Sequence, residues 1–221
     1  MSFGLASLQR WLGGRRGQRA AEAPTGRWIV VDTETSGLDP ARDRLLAIGG
    51  VAVDDEGIAL DDSFEIVLQS APAPDASNVV IHGIGYGAQA AGVPAPAALA
   101  AFHDWAAGAP RVGFHADFDR AVLRVACAAA GAPADDAPWL DLAPLAAALM
   151  PEAQRYGGRS LDDWLAAFGI ECTIRHNAAS DALATAELLL RLRGIAATQG
   201  TRGFDALRAA ARQQKWLGNA S

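Results

Sequence analysis

The alternation of apolar and polar positions between Arg27 and residue 69 predicts three consecutive strands. An apolar run rich in β-branched residues follows Arg27 and ends in a loop that contains Ser-Gly and Asp-Pro. Two further apolar runs cover residues 44–53 and 58–69, and the Asp-Asp-Glu-Gly sequence at 54–57 between them is typical of a tight hairpin turn. We therefore expect an antiparallel meander of three strands.

Downstream of the meander, the spacing of apolar residues changes to that of helices. Residues 111–114 are predicted to form a short strand, and residues 139–140 begin either another strand or the next helix. The predicted helices cover residues 94–107, 116–130, 142–149, 160–168, 178–198 and 204–217. A meander followed by strand–helix units implies one mixed sheet covered by helices, which is an α/β fold.

Three of these helices carry more specific signals. Ser160 and Asp163 are spaced like a capping pair at a helix start. Pro151 is expected to stop the helix that precedes it. The buried stripe of the helix at 116–130 is expected to consist of Phe118, Val122, Val125 and Ala129.

The composition is that of an ordinary soluble protein with room for one domain. The chain has 221 residues, of which 51% are hydrophobic and 20% are charged. Its two cysteines, Cys127 and Cys172, form no disulfide framework, and its start lacks the order of a signal peptide. No apolar run approaches the roughly 20 residues that a membrane helix needs. These features favour a reducing cytoplasm, and the many alanines and arginines suggest a bacterial source.

The charge is unevenly distributed between the ends and the centre of the chain. The net charge of −6 argues weakly against nucleic acid as a partner, but residues 1–27 alone carry five arginines against Glu22. The sequence Gln-Arg-Trp-Leu-Gly at 9–13 is echoed by Gln-Lys-Trp-Leu-Gly at 214–218. Exposed Trp and Leu together are unusual on a monomer. Both ends are therefore expected to pack on the body of the protein, on each other, or on a partner.

The first candidate site lies at the end of the first predicted strand. Because side chains alternate along a strand, Asp32 and Glu34 point to the same face as Val30. Two buried carboxylates are costly unless a cation neutralises them, and oxygen ligands favour Mg²⁺ or Mn²⁺. Taken alone, an Asp-x-Glu sequence is more often a strand that runs into an acidic turn.

The second candidate site is the Gly-Phe-His-Ala-Asp-Phe-Asp sequence at 113–119. Here a strand ends and a helix begins, so backbone N–H groups and the positive end of the helix favour carboxylates. Asp119 lies in the first turn and can face the same cleft as Asp32. Taken alone, Asp117 and Asp119 are more often ordinary acidic residues at a helix start.

The third candidate site combines His176 with Asp181. Five residues on a continuous helix would separate their side chains by roughly 140°. Both can face one site only if His176 precedes the helix and Asp181 lies just inside it, and Asn177 is a good N-cap between them. In this geometry Asp181 can bind a metal and His176 can move a proton. Taken alone, the segment is more often a surface histidine beside a capping residue.

Together the three segments resemble the motifs of the Asp-Glu-Asp-Asp exonuclease superfamily, histidine branch (DEDDh). The likeness is strongest to the epsilon-type proofreading exonucleases of bacterial DNA polymerase III. It extends from about residue 27 to residue 193 and includes Ile-His-Gly-Ile at 81–84. The departures are Ser36 in place of the usual Thr, His115 where many members have Asn, and Gly-Tyr-Gly at 85–87 in place of a more polar stretch.

The resemblance implies a ribonuclease-H-like fold, with a central five-stranded mixed sheet flanked by α-helices, and two divalent cations, Mg²⁺ or Mn²⁺. It implies that Asp32 binds both cations, that Glu34 and Asp181 hold the one beside the attacking water, and that Asp119 supports the other. His176 is implied as the general base. By composition, residues 1–26 are an Arg/Gly-rich lead-in that could include a short helix. We expect the exonuclease domain at 27–199 and a C-terminal helix, for packing or partner docking, at 200–221.

The implied reaction is the 3′–5′ hydrolysis of phosphodiester bonds at DNA 3′ ends, with release of nucleoside 5′-monophosphates, in proofreading or repair. The implied partners are single-stranded DNA or 3′ DNA ends, and a DNA polymerase subunit or another protein at the chain ends. The residues expected to contact the substrate are Thr35, Ser36, Gly37, Leu38, His82 and His115.

Three alternatives stay open. Within the superfamily, the chain could be a free-standing DNA-trimming enzyme instead of a polymerase-bound proofreader, or it could trim RNA. It could also be a non-catalytic interaction module on the same fold, although such a module would not need four carboxylates and a histidine. An aspartyl-phosphate phosphatase loop does not fit, because it would need a second Asp where Glu34 stands.

Overall fold

The computed structural model describes residues 26–70, 84–154 and 160–219. In these residues five strands form one sheet in the order β3-β2-β1-β4-β5. The strands are β1 (Trp28–Thr35), β2 (Leu45–Val53), β3 (Ile58–Val67), β4 (Arg111–Gly113) and β5 (Trp139–Asp141). The first three strands pair antiparallel, whereas β4 pairs parallel with both β1 and β5. The expected five-stranded mixed sheet is therefore confirmed.

The described residues contain eight helices. They are α1 (Tyr86–Ala90), α2 (Ala95–Ala106), α3 (Asp117–Ala130), α4 (Leu142–Leu149), α5 (Pro151–Gln154), α6 (Leu161–Phe168), α7 (Ala178–Thr198) and α8 (Phe204–Asn219). Ser160 and Asp163 form the predicted capping box at the start of α6. Pro151 ends α4 as predicted but also begins α5, because the first position of a helix needs no N–H donor. None of the described helices has the length and apolar character needed to cross a bilayer.

The two faces of the sheet carry separate hydrophobic cores. On one face, Val30 belongs to a core that includes Trp164 and Leu188 of the helices α6 and α7. On the other face, Ile29 belongs to a core that includes Phe102 of α2 and Leu123 of α3. Since β1 alternates, Asp32 and Glu34 share the face of α7, and Thr33 shares the face of α3.

The buried face of α3 differs from the expected stripe. Val122 is buried as predicted, but Val125 is only partly buried and Ala129 is exposed. The buried residues of this helix are Asp119, Val122, Leu123 and Cys127. The helix is thus rotated by about one residue relative to the expected stripe, and this rotation points the Asp119 carboxylate at β1.

A glycine in β2 allows α7 to approach the sheet closely. Gly49 pairs with Asp32 across the β1–β2 ladder, so substituents on the two residues would point to the same face. A Cβ atom at Gly49 would lie 2.1 Å from the backbone carbon of Ala178, the first residue of α7. The first turn of α7 therefore rests directly on β2, which brings Asp181 next to Asp32.

The C-terminal helix α8 packs on the same core as α7. Leu207 and Ala211 are buried there, and Phe204 meets Trp28 edge to face with ring centroids 5.3 Å apart. The inner face of α8 therefore packs on the body of the protein, which was one of the three alternatives for this end. Residues 1–25 lie outside the described residues, and the segment boundaries at 26 and 199 stay a prediction.

Candidate active site

Three carboxylates meet at the carboxyl end of β1. Asp32, Glu34 and Asp181 each offer an oxygen that lies within 4.8 Å of the oxygens of the other two. Burial, followed by the charges of the neighbouring carboxylates, raises the pKa of Asp32 well above its usual range. Burial and the charge of Asp181 raise the pKa of Glu34 to about 7. Crowded oxygen donors of this kind fit a hard divalent cation, which would remove the repulsion between them.

Asp119 approaches this cluster from the other face of the sheet. It lies in the first turn of α3, and its Oδ1 accepts hydrogen bonds from the N–H of Thr33 at 3.0 Å and from the Thr33 hydroxyl at 2.8 Å. Burial raises the pKa of Asp119 to about 7, although the bonds from Thr33 oppose this change. Asp32 and Glu34 of β1 are thus joined by one carboxylate from a helix on each face of the sheet, Asp181 from α7 and Asp119 from α3.

Asp181 is held by a set of short contacts at the start of α7. Its Oδ2 accepts a hydrogen bond from the backbone N–H of His176 at 3.0 Å. Its Oδ1 contacts the guanidinium of Arg175, and the thiol of Cys172 lies 3.3 Å from the same oxygen. Because Asp181 is only 5% exposed, these contacts fix the direction of its carboxylate.

Arg175 supplies the positive charge of the site and was missed at the sequence level. Of the described residues that line the cleft, it is the only one with a permanent positive charge. It bridges two carboxylates, donating from Nε to Asp162 at 2.5 Å and from a terminal nitrogen to Asp181. Burial lowers its pKa, but the bonds to both partners outweigh this and raise the pKa above its usual range. Its position next to His176 was the signal that could have found it. Cys172 gave no such signal.

His176 and Asp181 adopt the arrangement that their spacing predicted. The helix α7 begins at Ala178, and the Asn177 side chain caps it by accepting the N–H of Ser180 at 2.9 Å. His176 precedes the cap with a φ of 61°, in the left-handed region, and its side chain is exposed. Both residues therefore face the same cleft.

The cleft itself has a volume of about 270 Å³. It is lined by Asp32, Thr33, Glu34, Phe114, His115, Ser160, Leu161, Arg175, His176 and Asp181. Besides Arg175, the lining residues that were not among the sequence candidates are Thr33, Phe114, Ser160 and Leu161. Ser160 and Leu161 gave only the signal of a helix start, which is why their place at the cleft was missed.

The expected substrate-contacting residues divide into two groups around this cleft. His115 lines it, and its backbone N–H donates to Asp141 Oδ1 at 3.0 Å. Thr35 is the last residue of β1, and Ser36, Gly37 and Leu38 follow it in the loop. These four residues are not among the lining residues. The Thr35 hydroxyl donates to the Gly37 carbonyl at 2.6 Å, and Leu38 is 90% exposed. His82 lies outside the described residues.

Comparison with known proteins identifies relatives among exonucleases. The sequence profile of the RNase_T family, described as exonuclease, matches residues 29–189. The DNA polymerase III subunit epsilon-like protein of Rhodobacter capsulatus is 33% identical over 201 residues. This alignment covers 88% of the present chain and 28% of the relative, so the chain spans less than a third of that protein.

Solved structures of E. coli exonuclease I have a similar fold. Its complex with a dT13 oligonucleotide matches with a TM-score of 0.64 at 21% identity, covering 79% of this chain and 42% of that chain. Its complex with a dA16 oligonucleotide matches with a TM-score of 0.63 at 24% identity, covering 83% and 45%. The likeness confirms the expected ribonuclease-H-like architecture.

Proposed function

The chain belongs to the RNase_T exonuclease family, and from this premise we propose that it is a metal-dependent 3′–5′ exonuclease acting on DNA 3′ ends. The reaction is the hydrolysis of the terminal phosphodiester bond with release of a nucleoside 5′-monophosphate. The observation that carries the proposal is the convergence of Asp32, Glu34 and Asp181, which each offer an oxygen within 4.8 Å of the oxygens of the other two. His176 lines the same cleft, and the charge of Asp119 acts on Asp32. Crowded carboxylates destabilise the fold, so their presence at one cleft favours a function over a structural role.

The four carboxylates are suited to hold two divalent cations, Mg²⁺ or Mn²⁺. Asp32 has the central role, because its pKa responds to the charges of Asp119, Asp181 and Glu34 alike. Glu34 and Asp181 would hold, together with Asp32, the cation that activates the attacking water, and Asp119 would support the other. Bound divalent cations would supply positive charge to the attacking water and to the leaving oxygen.

His176 acts as the general base. Its backbone N–H is fixed to Asp181 at 3.0 Å, while its imidazole is exposed at the rim of the cleft. From this position it removes a proton from the attacking water and passes the proton to solvent. Such assistance contributes about 10²–10⁴ in rate.

The substrate strand reaches the carboxylates through the cleft, where His115 and Phe114 stand on the side of β4. The exonuclease I structures that share the fold were solved with DNA oligonucleotides, which supports DNA as the substrate. RNA trimming is the competing activity within the family. A role in proofreading or repair, a bacterial cytoplasmic location and docking of a polymerase subunit or another protein at the chain ends stay predictions.

The test is a side-by-side digestion of single-stranded DNA, mispaired duplex DNA and short RNA. We expect mononucleotides to appear from DNA 3′ ends in Mg²⁺ or Mn²⁺ and not in EDTA. The Asp32→Asn variant is the inactive control, and Asp39→Asn, which alters an exposed carboxylate in the loop after β1, is the matched active control. If RNA is digested faster than DNA, RNA is the substrate. If none of the three strands gives a metal-dependent product, the result supports a non-catalytic interaction module.

A further inference from the structure

The helix α8 runs from one end of the sheet to the other. It begins at Phe204, which packs on Trp28 at the amino end of β1. Its 16 residues span about 24 Å. Near its end, the Lys215 ammonium contacts Asp117, which lies just beyond the carboxyl end of β4. Because β1 and β4 are parallel, the last turn of α8 lies at the same edge of the sheet as the carboxylate cluster.

The last turn of α8 exposes large apolar side chains. Trp216 is 69% exposed and Leu217 is 49% exposed, whereas Leu207 and Ala211 earlier in the helix are buried. The other tryptophans of the described chain, Trp28, Trp105, Trp139 and Trp164, are buried or partly buried. Adjacent exposed Trp and Leu side chains on a monomer mark an interaction surface.

The charges around Trp216 indicate the chemistry of its partner. Arg212 is exposed one turn before Trp216 and shares its face of the helix, and Lys215 is its direct neighbour. The chain as a whole has a net charge of −6, so two cations beside an exposed indole are a local exception. The Lys215–Asp117 pair is largely exposed, with side-chain exposures of 46% and 70%. Exposed ion pairs of this kind contribute little to stability. Lys215 can therefore leave Asp117 and contact a phosphate instead.

We propose that the end of α8 binds the single-stranded nucleic acid whose 3′ end enters the cleft. Trp216 stacks on a base, and Arg212 and Lys215 contact the phosphates on either side of it. Aromatic platforms flanked by basic side chains are how proteins hold single strands without reading their sequence. This inference rests on the proposed function, since it concerns the path of the same substrate away from the carboxylates.

The experiment measures strand binding rather than turnover. A labelled thymidine oligonucleotide of about twelve nucleotides, within the range of single-strand site sizes, is titrated in an Asp32→Asn background so that the strand stays intact. We expect Trp216→Ala to weaken binding by about tenfold, and Trp216→Phe to restore most of it because phenylalanine also stacks. Leu60→Ala is the matched control, because Leu60 is 65% exposed on the edge strand β3 and has no role in the proposal.

Strand length and salt separate this proposal from its competitors. The loss in Trp216→Ala should be large for the long oligonucleotide and small for a dinucleotide that occupies the cleft alone. Removing Lys215 should make binding less dependent on salt concentration.

An equal loss of affinity for the long oligonucleotide and for the dinucleotide would make Trp216 a structural residue and overturn the proposal. Unchanged strand binding would also overturn it, and if Trp216→Ala then altered sedimentation it would identify a protein interface instead. Strand binding is measured without turnover, so its result does not depend on whether the proposed nuclease activity is detected in the digestion experiment.

Discussion

Arg111 and Asp135 lie buried as a pair near the amino end of β4, whereas four carboxylates gather beyond its carboxyl end with one guanidinium among them. The Arg111–Asp135 pair is joined by two hydrogen bonds of 3.1 and 3.0 Å, and the exposures of the two side chains are 2% and 8%. The guanidinium of Arg111 also lies 5.5 Å from the Phe102 ring centroid. Each buried charge there has a partner within the chain.

The carboxylate cluster is not compensated in this way. Arg175 lowers the pKa of Asp32 and of Glu34, but burial and mutual repulsion still raise both. One guanidinium thus neutralises only part of the charge of four carboxylates. The buried charge of the Arg111–Asp135 pair is thus neutralised by the chain itself, whereas the charge of the carboxylate cluster is left in excess, as the proposed metal binding would require.

The largest effect should come from Asp32→Asn. Removing this carboxylate takes away the group that lies close to all three others, so nuclease activity should be abolished in Mg²⁺ and in Mn²⁺. The metal-free protein should become more stable, since repulsion within the cluster falls. Mononucleotide release and thermal unfolding in EDTA measure the two effects. Ordinary activity in this variant would contradict the metal assignment.

His176→Ala should lower turnover by about 10²–10⁴. Because its contact with Asp181 is through the backbone N–H, the substitution should leave metal affinity nearly unchanged. A higher pH should partly restore the rate, since hydroxide then attacks without a base. Calorimetric titration with Mn²⁺ beside single-turnover rates separates the two properties. Loss of metal binding would make His176 a ligand and not the base.

Asp135→Asn should lower the free energy of unfolding, whereas Asp32→Asn should raise it in the metal-free protein. The substitution at Asp135 leaves the Arg111 guanidinium buried without its charged partner, and breaking a buried pair in this way costs about 3–5 kcal/mol in the free energy of unfolding. Denaturant unfolding measures the loss. The double variant Arg111→Met with Asp135→Asn is the control, because removing both charges should recover part of the stability. A neutral single variant would show that the pair is not needed.

The pH dependence of stability should reveal the excess charge. The pKa of Glu34 and that of Asp119 are each about 7 in the folded protein, against ordinary values of 4.5 and 3.8. In this interval the unfolded chain loses its protons first, so the metal-free protein should lose stability as pH rises from about 4 to 7 and level off above that. Mg²⁺ should oppose the loss because it binds the ionised carboxylates. Melting temperatures at several pH values, with and without Mg²⁺, test this. In the Glu34→Gln variant, the melting temperature measured in EDTA should depend less on pH.

Much of this arrangement could be predicted from the sequence, because the direction of these side chains follows from local patterns such as strand alternation and helix capping. The alternation in β1 placed Asp32 and Glu34 on one face, and Asn177 before α7 allowed His176 and Asp181 to share a cleft. The position of Arg175 next to His176 could have placed it near the cleft. Its bridge between Asp162 and Asp181, however, depends on the distance between α6 and the start of α7, which the sequence does not give. The rotation of α3 was also missed, because Asp119 is polar and its burial depends on the hydrogen bonds from Thr33.

The smallest effect, and the sharpest test of the comparison, should come from Arg175→Gln. If Arg175 mainly offsets charge, its removal makes the cluster more negative and takes the guanidinium away from Asp181 Oδ1. Mn²⁺ should then bind more tightly, while the metal-free protein loses some stability. If Arg175 instead mainly orients Asp181, Mn²⁺ should bind more weakly, because the ligand is no longer held in place. Calorimetric titration with Mn²⁺ distinguishes these outcomes by their sign. Arg42→Gln is the matched control, since the Arg42 side chain is 87% exposed and forms a surface salt bridge with Asp39 at 3.5 Å. We expect tighter binding in Arg175→Gln, an intermediate affinity in Arg175→Lys because the charge remains without the planar fork, and no change in the control.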